Sequence, residues 1–366
     1  MSGSHFSMIV TFESSSDTHL VNILVNTFSS LTTMADKVVL LTGANGFLGL
    51  HLIAQLLSAG YFVRCVVRST EKALHILDDF SSHQSQLDIS IVPDITIDGA
   101  FDEAVQSSPP LTHVIHQASP FFFASITSND QFLDPAIKGT TSLLRSIKKY
   151  APTVKRVIYT SSMAAIVDRS VPDVSIPQKT YTEDDWNPMT YEEALTGDKG
   201  AAYRAGKKFA ELAACDFIKS EQPSFDLVVL CPPMIFGPYL PETFRRLKLN
   251  DLNESNKRIY NGYINTKKEG GIPHNALNVY IDVRDLARAH VEALWRHEAG
   301  KERLIISARE ISAQRICDML RGRFESLDDR TPLGNPGTSD IAKGSYRTYL
   351  INSTRLKDYL FMRADI

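Results

Sequence analysis

The sequence predicts an α/β protein built on a doubly wound parallel sheet, with a smaller lobe toward the C-terminus. Between residues 38 and 230, short apolar runs rich in β-branched residues alternate with amphipathic segments. Such runs are typical of parallel strands that helices cover on both faces. After Pro238 the alternation gives way to a polar, asparagine-rich stretch at 241–275. This change indicates a second lobe that caps the carboxyl edge of the sheet.

Six apolar runs are predicted as strands, and the amphipathic segments between them are predicted as helices. Six parallel strands match the doubly wound dinucleotide-binding fold, the Rossmann fold. The strands are expected at 38–42, 62–67, 89–92, 113–116, 157–160 and 227–230, and the helices at 47–59, 70–80, 101–106, 132–150 and 203–220.

Composition divides the chain into three parts. Residues 1–33 contain 13 Ser or Thr and neither Lys nor Arg, and we expect a flexible N-terminal leader there. Residues 34–238 are expected to form the nucleotide-binding core, and 239–366 a substrate-binding lobe interleaved with the last strand and helices. Within that lobe we expect strands at 279–282 and 304–307, helices at 283–296 and 311–324, and a loop rich in Gly, Pro and Ser at 328–344.

Composition also excludes several classes of protein. Lys and Arg number 39 against 42 Asp and Glu, a net charge of −3, without the basic surplus that nucleic-acid binders show. The four cysteines form no CxxC pair, so neither a disulfide framework nor a metal site is expected. No apolar run reaches the roughly 20 residues of a membrane span. We expect a soluble, cytoplasmic monomer or homodimer with no nucleic-acid or membrane partner.

A glycine-rich loop follows the first predicted strand. Gly43, Gly46 and Gly49 have the spacing GxxGxxG, one residue longer than the common GxGxxG fingerprint. Glycines permit a tight turn and let backbone N–H groups approach a pyrophosphate, whose charge the N-terminus of a following helix favours. A plain tight turn is the alternative. Because a strand precedes the loop and an amphipathic helix follows it, we interpret the loop as a dinucleotide-binding site.

The end of the second strand indicates which dinucleotide binds. NAD-binding proteins of this fold place an acid there for the ribose hydroxyls, whereas this chain has Arg68, followed one helical turn later by Lys72. Both cations can face a 2′-phosphate, and Arg binds phosphate in a bidentate way. Alternatively, they are two solvated cations, either of which could pair with Glu71. We expect NADP(H) rather than NAD(H).

Two Tyr-x-x-x-Lys motifs are candidates for a proton donor. Residues i and i+4 share a helical face, and a nearby ammonium lowers the pKa of a tyrosine, which helps it donate a proton to a carbonyl oxygen. Tyr203 and Lys207 begin a predicted helix ahead of the sixth strand, whereas Tyr263 and Lys267 lie between glycines where no helix is expected. We therefore choose Tyr203 and Lys207.

A serine at the end of the fifth predicted strand is the third candidate. Ser161 and Ser162 stand at the carboxyl edge, where folds of this kind bind ligands. A serine hydroxyl there can hydrogen-bond a substrate carbonyl and hold it near the tyrosine. The alternative is a Ser/Thr turn that ends the strand. The glycine loop and the Tyr203–Lys207 pair stand at compatible positions and favour the catalytic role.

Eight short stretches occur in order along the chain: Thr42-Gly43-Ala44-Asn45-Gly46-Phe47, Val92-Pro93-Asp94-Ile95, His116-Gln117-Ala118-Ser119-Pro120-Phe121, Thr160-Ser161-Ser162, Trp186-Asn187-Pro188, 203–208, Phe236-Gly237-Pro238 and 280–285. In this order they resemble the extended short-chain dehydrogenase/reductases. More narrowly, the chain is similar to the NADPH-dependent methylglyoxal and aldehyde reductases, relatives of dihydroflavonol 4-reductase and cinnamoyl-CoA reductase. The resemblance covers residues 37 to about 307, and more loosely to about 337, so it is far more specific than any single motif.

The resemblance implies a catalytic triad of Ser162, Tyr203 and Lys207. Hydride would pass from the nicotinamide to an aldehyde or ketone carbon, and Tyr203 would protonate the oxygen while Lys207 holds the nicotinamide ribose. The implied contacts with NADP(H) are Gly43, Ala44, Asn45, Gly46, Phe47, Leu48, Arg68, Lys72, Asp94, Ile95, Ala118, Tyr203, Lys207 and Pro232.

The implied activity is NADPH-dependent reduction of small aldehydes, α-dicarbonyls such as methylglyoxal, or keto esters. Phe121, Met163, Pro233 and Met234 would line the substrate site, with ordinary core packing as the alternative for each. Two other classes share the fold: nucleotide-sugar epimerases or dehydratases, which recycle bound NAD, and non-catalytic NADP-sensing regulators. The cation that ends the second strand argues against the first class, and the Tyr/Lys pair argues against the second.

Overall fold

A seven-stranded parallel sheet forms the centre of the fold. The computed structural model of the protein describes residues 37–119, 128–169, 179–273, 279–338, 350–351 and 355; the expected leader at 1–33 and the candidate residue Phe121 lie outside them. All six predicted strands are present, and the run expected at 304–307 supplies the seventh. The strands are β1 (Val38–Thr42), β2 (Phe62–Val67), β3 (Leu87–Ile91), β4 (His113–His116), β5 (Arg156–Thr160), β6 (Thr180–Tyr181), β7 (Asp226–Cys231), β8 (Met234–Phe236), β9 (Val279–Asp282), β10 (Arg303–Ile305), β11 (Arg309–Glu310) and β12 (Leu350–Ile351).

The strand order of the main sheet is β10-β7-β5-β4-β1-β2-β3, and every neighbouring pair is parallel. The chain reverses direction across the sheet at β1, which pairs with β2 on one side and β4 on the other. Loops that leave such a point diverge and open a crevice at the carboxyl edge, where ligands bind. Two smaller sheets join β8 to β9 and β11, and β6 to β12. The doubly wound α/β prediction is confirmed.

Strand β1 is apolar from Val38 to Leu41 because it is buried on both faces of the sheet. Side chains along a strand alternate between these two faces. Val39 and Leu41 belong to the hydrophobic cluster on one face, and Val38 and Leu40 to the cluster on the other. All four side chains are completely buried. A strand buried on both faces needs apolar residues at every position.

Helices cover both faces of this sheet. The helices of the described residues are α1 (Phe47–Ser58), α2 (Thr70–Asp79), α3 (Asp130–Tyr150), α4 (Tyr191–Thr196), α5 (Lys199–Glu221), α6 (Pro241–Phe244), α7 (Glu254–Ile259), α8 (Val283–Trp295) and α9 (Ala313–Arg323). Leu56 of α1 and Leu286 of α8 pack in one cluster, and Leu144 of α3 and Ala214 of α5 pack in the other. The two helix layers leave the carboxyl edge of the sheet open.

The prediction of a helix at 101–106 is wrong. These residues form successive turns, in which the amide of Asp102 donates to Gly99 and that of Gln106 to Glu103, three residues back. Phe101 is nevertheless completely buried. The apolar pattern therefore indicated burial correctly, but the segment is too short to propagate a helix.

The start of α5 also differs from its prediction. The helix begins at Lys199 rather than at 203, because the carboxylate of Asp198 accepts a hydrogen bond from the Ala201 amide at 2.5 Å and caps the first turn. The polar stretch at 241–275 contains α6, α7 and a π-helical turn, Tyr260–Ile264. The loop predicted from residue 328 begins within a 3₁₀ turn, Glu325–Arg330.

The described residues also bear on the expected absence of membrane spans, metal sites and disulfides. None of their helices has the length and apolar character to cross a membrane. They contain no group of three or more His, Cys, Asp or Glu that could hold a metal ion. All four cysteines are free thiols.

Gly49→Ala is expected to destabilise the fold. A Cβ at Gly49 would lie 2.5 Å from the Gly43 carbonyl oxygen and 2.6 Å from that of Ala44, so the backbone of the glycine loop would have to move. Gly322→Ala in α9 is the matched control, because its Cβ would meet no atom within 4 Å and Ala favours a helix over Gly by about 1 kcal/mol. Thermal unfolding should give a lower midpoint for Gly49→Ala alone; equal midpoints would contradict the close packing.

Candidate active site

A cavity of about 740 Å³ opens at the carboxyl edge of the sheet. Its lining comes from the loops that follow β1, β4, β5 and β7, together with the first turns of α5 and α7. Because these strands run parallel, their carboxyl ends meet at one edge, and the loops between β1 and β4 leave the crevice described above. The cavity therefore lies where this fold binds its ligands.

The glycine loop lies at one end of this cavity. Gly43 has φ +69°, a left-handed conformation that favours glycine. A Cβ there would lie 3.2 Å from the Gln117 side chain and 3.3 Å from the Ala118 amide nitrogen, so glycine lets the loops after β1 and β4 approach. Gly46 is the N-cap of α1 and donates to the Gly43 carbonyl at 3.0 Å. Asn45 and Gly46 are exposed, which leaves one side of the turn open to a pyrophosphate.

The other predicted cofactor-binding residues differ in whether they reach the cavity or are buried away from it. Phe47 and Leu48 line the cavity, whereas Ala44 is completely buried beneath the turn. Ile95 packs against α3, since a Cβ at Gly139 would lie 2.7 Å from its Cδ1.

The predicted phosphate-binding cations stand at the end of β2. Arg68 is exposed directly after the strand, and Lys72 Nζ in the first turn of α2 lies 3.5 Å from the Glu71 carboxylate. Asp94, after β3, accepts hydrogen bonds from the hydroxyl and amide of Thr96 at 2.7 and 2.8 Å. These bonds, and to a smaller extent the charge of Arg68, hold the pKa of Asp94 below its usual value. Strand β2 is thus followed by a cation, Arg68, and not by an acid.

Helix α5 brings Tyr203, Lys207 and Glu211 onto one face, because residues four apart are neighbours on a helix. The Ser162 hydroxyl is hydrogen-bonded to Tyr203. Its Oγ also accepts the Ala164 amide at 3.1 Å, which orients the side chain. Ser162, Tyr203 and Lys207 all line the cavity. The structure thus brings the three predicted catalytic residues together.

The pKa of Tyr203 differs from the expectation. Burial raises it above its ordinary value of 10, while the Ser162 hydrogen bond and the charge of Arg258 act in the opposite direction. The sequence predicted that the Lys207 ammonium lowers the pKa of Tyr203, and that direction is wrong for this structure. Desolvation outweighs the neighbouring positive charge, because loss of water disfavours the tyrosinate form. Tyr203 is therefore held in its protonated state at neutral pH.

Lys207 lies in a similarly enclosed position. Its side chain is 9% exposed, and Nζ donates to the Thr160 carbonyl at 3.4 Å. Burial lowers its pKa to about 8, although the charge of Glu211 acts to raise it. At neutral pH the ammonium form still prevails, one turn along α5 from Tyr203.

Sequence reasoning missed Glu211, which is completely buried behind Lys207. Its carboxylate accepts hydrogen bonds from the Ser161 hydroxyl and from Arg303 Nε of β10. Adjacent serines thus have different partners: Ser162 contacts the tyrosine and Ser161 contacts Glu211. Glu211 follows Lys207 by four residues, and this spacing alone could have predicted that the two share a helix face. Nothing in the local sequence indicates that Arg303 of β10 is its partner.

The second Tyr-x-x-x-Lys motif lies elsewhere. Tyr263 belongs to the π-helical turn Tyr260–Ile264, so the expectation of no helix there is wrong for the tyrosine. It is buried in a small cluster with Ile316 and Cys317 of α9. Neither Tyr263 nor Lys267 is among the residues that line the cavity as described. Tyr263 serves as packing for the smaller lobe.

Three of the four predicted substrate residues line the cavity, as does Pro232: they are Met163, Pro233 and Met234. The Met163 amide donates to the Pro232 carbonyl at 2.9 Å, which ties the loop after β5 to the loop after β7. Met163 is completely buried, so core packing and a place in the cavity lining are combined in one side chain.

Comparison with known proteins identifies the family. The model of the NAD dependent epimerase/dehydratase family matches residues 39–307. The chain belongs to this family. The resemblance inferred from the eight stretches to the extended short-chain dehydrogenase/reductases is thereby confirmed.

Curated proteins similar to this chain cover most of its length. A ketoreductase of Aspergillus niger, azaE, is 42% identical over 85% of this chain and 89% of its own length. A putative NADPH-dependent methylglyoxal reductase of Candida albicans, GRP2, is 38% identical over 83% of this chain and 88% of its own. The crystal structure of the yeast methylglyoxal/isovaleraldehyde reductase Gre2, complexed with NADPH, is 34% identical and superposes with a TM-score of 0.81, covering 89% and 93% of the two chains.

Lys207→Met is expected to change the pH dependence of stability. Burial lowers the pKa of Lys207 to about 8, whereas the unfolded value is about 10.4. Between these values the unfolded chain binds more protons than the folded one, so this residue makes stability rise with pH. Below about pH 8 the residue is charged in both states, and the cost of burying that charge is fully present.

The measurement is denaturant unfolding of both proteins from about pH 7 to about pH 10. The free energy of unfolding of the wild type should increase relative to that of Lys207→Met by up to about 3 kcal/mol. Methionine retains an unbranched side chain that does not titrate. A difference that stays constant or falls with pH would contradict the lowered pKa.

Proposed function

We propose that the protein is an NADPH-dependent carbonyl reductase that reduces small aldehydes, α-dicarbonyls such as methylglyoxal, or keto esters to alcohols. The supporting observation is the convergence of Ser162, Tyr203 and Lys207 on one cavity that also reaches the glycine loop at Phe47 and Leu48. The names of the relatives, ketoreductase and NADPH-dependent methylglyoxal reductase, agree with this activity.

The residues around the crevice fit NADPH. The turn at Gly43 leaves its backbone open to a pyrophosphate, and a Cβ there would crowd the Ala118 backbone. Arg68 and Lys72 stand at the end of β2, where a 2′-phosphate would lie. Lys207 would bind the nicotinamide ribose. When bound, the cofactor supplies the hydride that the carbonyl carbon receives.

Tyr203 is the proton donor in this proposal. Its raised pKa keeps the hydroxyl protonated at neutral pH, so that it can donate to the substrate oxygen as that oxygen gains negative charge. Ser162, hydrogen-bonded to Tyr203, orients the same oxygen. The positive charges of Lys207 and Arg258 stabilise the tyrosinate that remains, which then regains a proton from solvent.

The two other functions considered for this fold have less support. An epimerase or dehydratase that recycles NAD would place an acid at the end of β2, where this chain has the exposed Arg68. A non-catalytic NADP sensor would not require a serine, a tyrosine and a lysine arranged around one cavity. The hydrogen bond between Ser162 and Tyr203 brings the two hydroxyls close enough for one carbonyl oxygen to accept from both.

The same proposal includes the organisation of the chain. Residues 34–238 would form the NADP-binding core, and 239–366 a substrate-binding lobe interleaved with the last strand and helices; α7 of this part supplies Glu254 and Arg258 to the cavity lining. A small carbonyl compound is the partner. The monomeric or homodimeric state and the cytoplasmic location stay predictions.

Arg68→Ala is expected to weaken NADPH binding about tenfold or more and NADH binding less than about twofold, because a charge-assisted bond to the 2′-phosphate is lost. Fluorescence titration of each cofactor measures both dissociation constants. Arg323→Ala, an exposed arginine at the end of α9, is the matched control and should change neither. Equal losses for the two cofactors would refute the phosphate contact.

Tyr203→Phe is expected to lower kcat by about 10²–10⁴-fold, the usual contribution of general acid catalysis, with NADPH affinity nearly unchanged. The assay follows NADPH oxidation with methylglyoxal, 3-methylbutanal and a β-keto ester. Tyr263→Phe is the control for removal of a buried tyrosine hydroxyl and should keep full activity. Retained turnover in Tyr203→Phe would disprove the role of Tyr203 as proton donor. A wild-type protein that reduces none of these carbonyl compounds would refute the reductase proposal.

A further inference from the structure

The carboxylates that line the cavity near Tyr203 already have partners. Glu254 accepts a hydrogen bond from Arg258 Nε at 3.1 Å, one turn apart in α7. Asp198 accepts the amide of Ala201 at 2.5 Å and so caps α5. The described lining contains these two carboxylates but five cations, so the cavity is positively charged even after Arg258 is paired.

Arg204 is the cation that this arrangement leaves with an unmet donor. Its side chain is half-buried, and its Nε is enclosed without a hydrogen-bond partner. Burial lowers the pKa of Arg204, and the like charge of Arg169 acts in the same direction, while Asp198 opposes both. A buried donor without a partner is unfavourable, and so is the repulsion between two cations. An anion bound at these two arginines would relieve the repulsion between them.

The backbone leaves room for the Arg204 guanidinium on the cavity side of α5. Gly200 precedes it by one helical turn, and both residues line the cavity. A Cβ at Gly200 would lie 3.2 Å from Arg204 Nη1 and 3.2 Å from Asp198 Oδ1. Glycine at this position therefore keeps the guanidinium and the neighbouring carboxylate free of a side chain that would crowd them.

The position of Arg204 separates it from the proposed phosphate sites. Gly43 follows β1 and Arg68 follows β2, whereas Arg204 lies next to Tyr203 on α5 and Arg169 follows the turn after β5. In the sheet, β4 lies between β5 and β1. The two arginines thus lie on the opposite side of the crevice from the residues that would bind phosphate.

We propose that Arg204, with Arg169 near it, binds a carboxylate where the carbonyl substrate carries one, so that this site reduces oxo acids in preference to their uncharged esters. This inference rests on the reductase function proposed above. A guanidinium presents a planar set of donors that matches a carboxylate in a bidentate way. The carboxylate forms and breaks no covalent bond: the carbonyl carbon receives hydride from NADPH, the oxygen receives the Tyr203 proton, and NADP⁺ and a hydroxy acid are released.

The test compares oxo acids with their methyl esters at saturating NADPH. Pyruvate, acetoacetate and levulinate place the carbonyl at increasing distance from the carboxylate, and each ester removes the charge alone. The wild type should show a kcat/KM about tenfold higher for the best acid than for its ester. In Arg204→Met the value for the acid should fall about tenfold or more, while that for the ester changes less than about twofold. Arg323→Met is the control and should leave the acid-to-ester ratio unchanged.

Several outcomes would overturn the inference. An unchanged acid-to-ester ratio in Arg204→Met, or an equal fall for both, would show that the guanidinium does not recognise the carboxylate. Weaker NADPH binding at an unchanged ratio would assign Arg204 to the cofactor. Arg204→Lys, which keeps the charge but loses the planar donors, should give an intermediate ratio.

A wild type that reduces none of these carbonyls would refute the proposed function and still leave the anion site testable. Calorimetric titration of the NADP⁺-loaded protein with the same acids and esters then decides. Tighter binding of the acid than of the ester, abolished in Arg204→Met, supports the site. Equal binding of acid and ester, or binding unaffected by the substitution, overturns it.

Discussion

The buried ion pair between Glu211 and Arg303 joins helix α5 to β10, and the arrangement of Tyr203 and Lys207 on that helix depends on it. Glu211 is completely buried and also accepts a hydrogen bond from Ser161, so one carboxylate holds the loop after β5 as well. The Arg303 guanidinium lies 3.8 Å from the centre of the Trp186 ring. Removal of one partner from a buried pair typically costs about 3–5 kcal/mol. The face of α5 that carries the tyrosine and the lysine is therefore strongly fixed in rotation.

Burial also sets the protonation states on that face. It raises the pKa of Tyr203 and lowers that of Lys207 to about 8, because loss of water disfavours the charged form of each. The two pKa values are thus moved apart: in water that of lysine lies slightly above that of tyrosine, whereas here it lies well below. The Thr160 carbonyl and the Ser162 hydroxyl give each side chain a hydrogen-bond partner. The enclosure of the site, more than the Tyr-to-Lys spacing, sets the protonation state of the tyrosine hydroxyl.

Sheet topology places the proposed phosphate-binding residues and the two cavity arginines in different parts of one crevice. The loops after β1 and β2 carry Gly43 and Arg68, which fit a dinucleotide phosphate, while the far side carries Arg204 and Arg169. Because β1 has neighbours on both sides, the loops at its carboxyl end diverge and leave space between these regions. Tyr203 lies on the same side of the crevice as Arg204 and Arg169. Charge placed by the fold at separate positions can orient a cofactor and a substrate toward each other.

The strands, most helices and the glycine loop followed from local patterns, since burial on both sheet faces and positive φ impose residue types wherever the partners lie. Residues 101–106 show the limit, because apolar spacing encodes burial without deciding between a turn and a helix. From their types alone, Ser161 and Ser162 are equivalent; the family resemblance favoured the second. Packing then directs them to different partners. Arg303 meets Glu211 across 92 residues of chain. Such a pair arises when β10 docks beside β7, and no local pattern records which distant strand a helix will face.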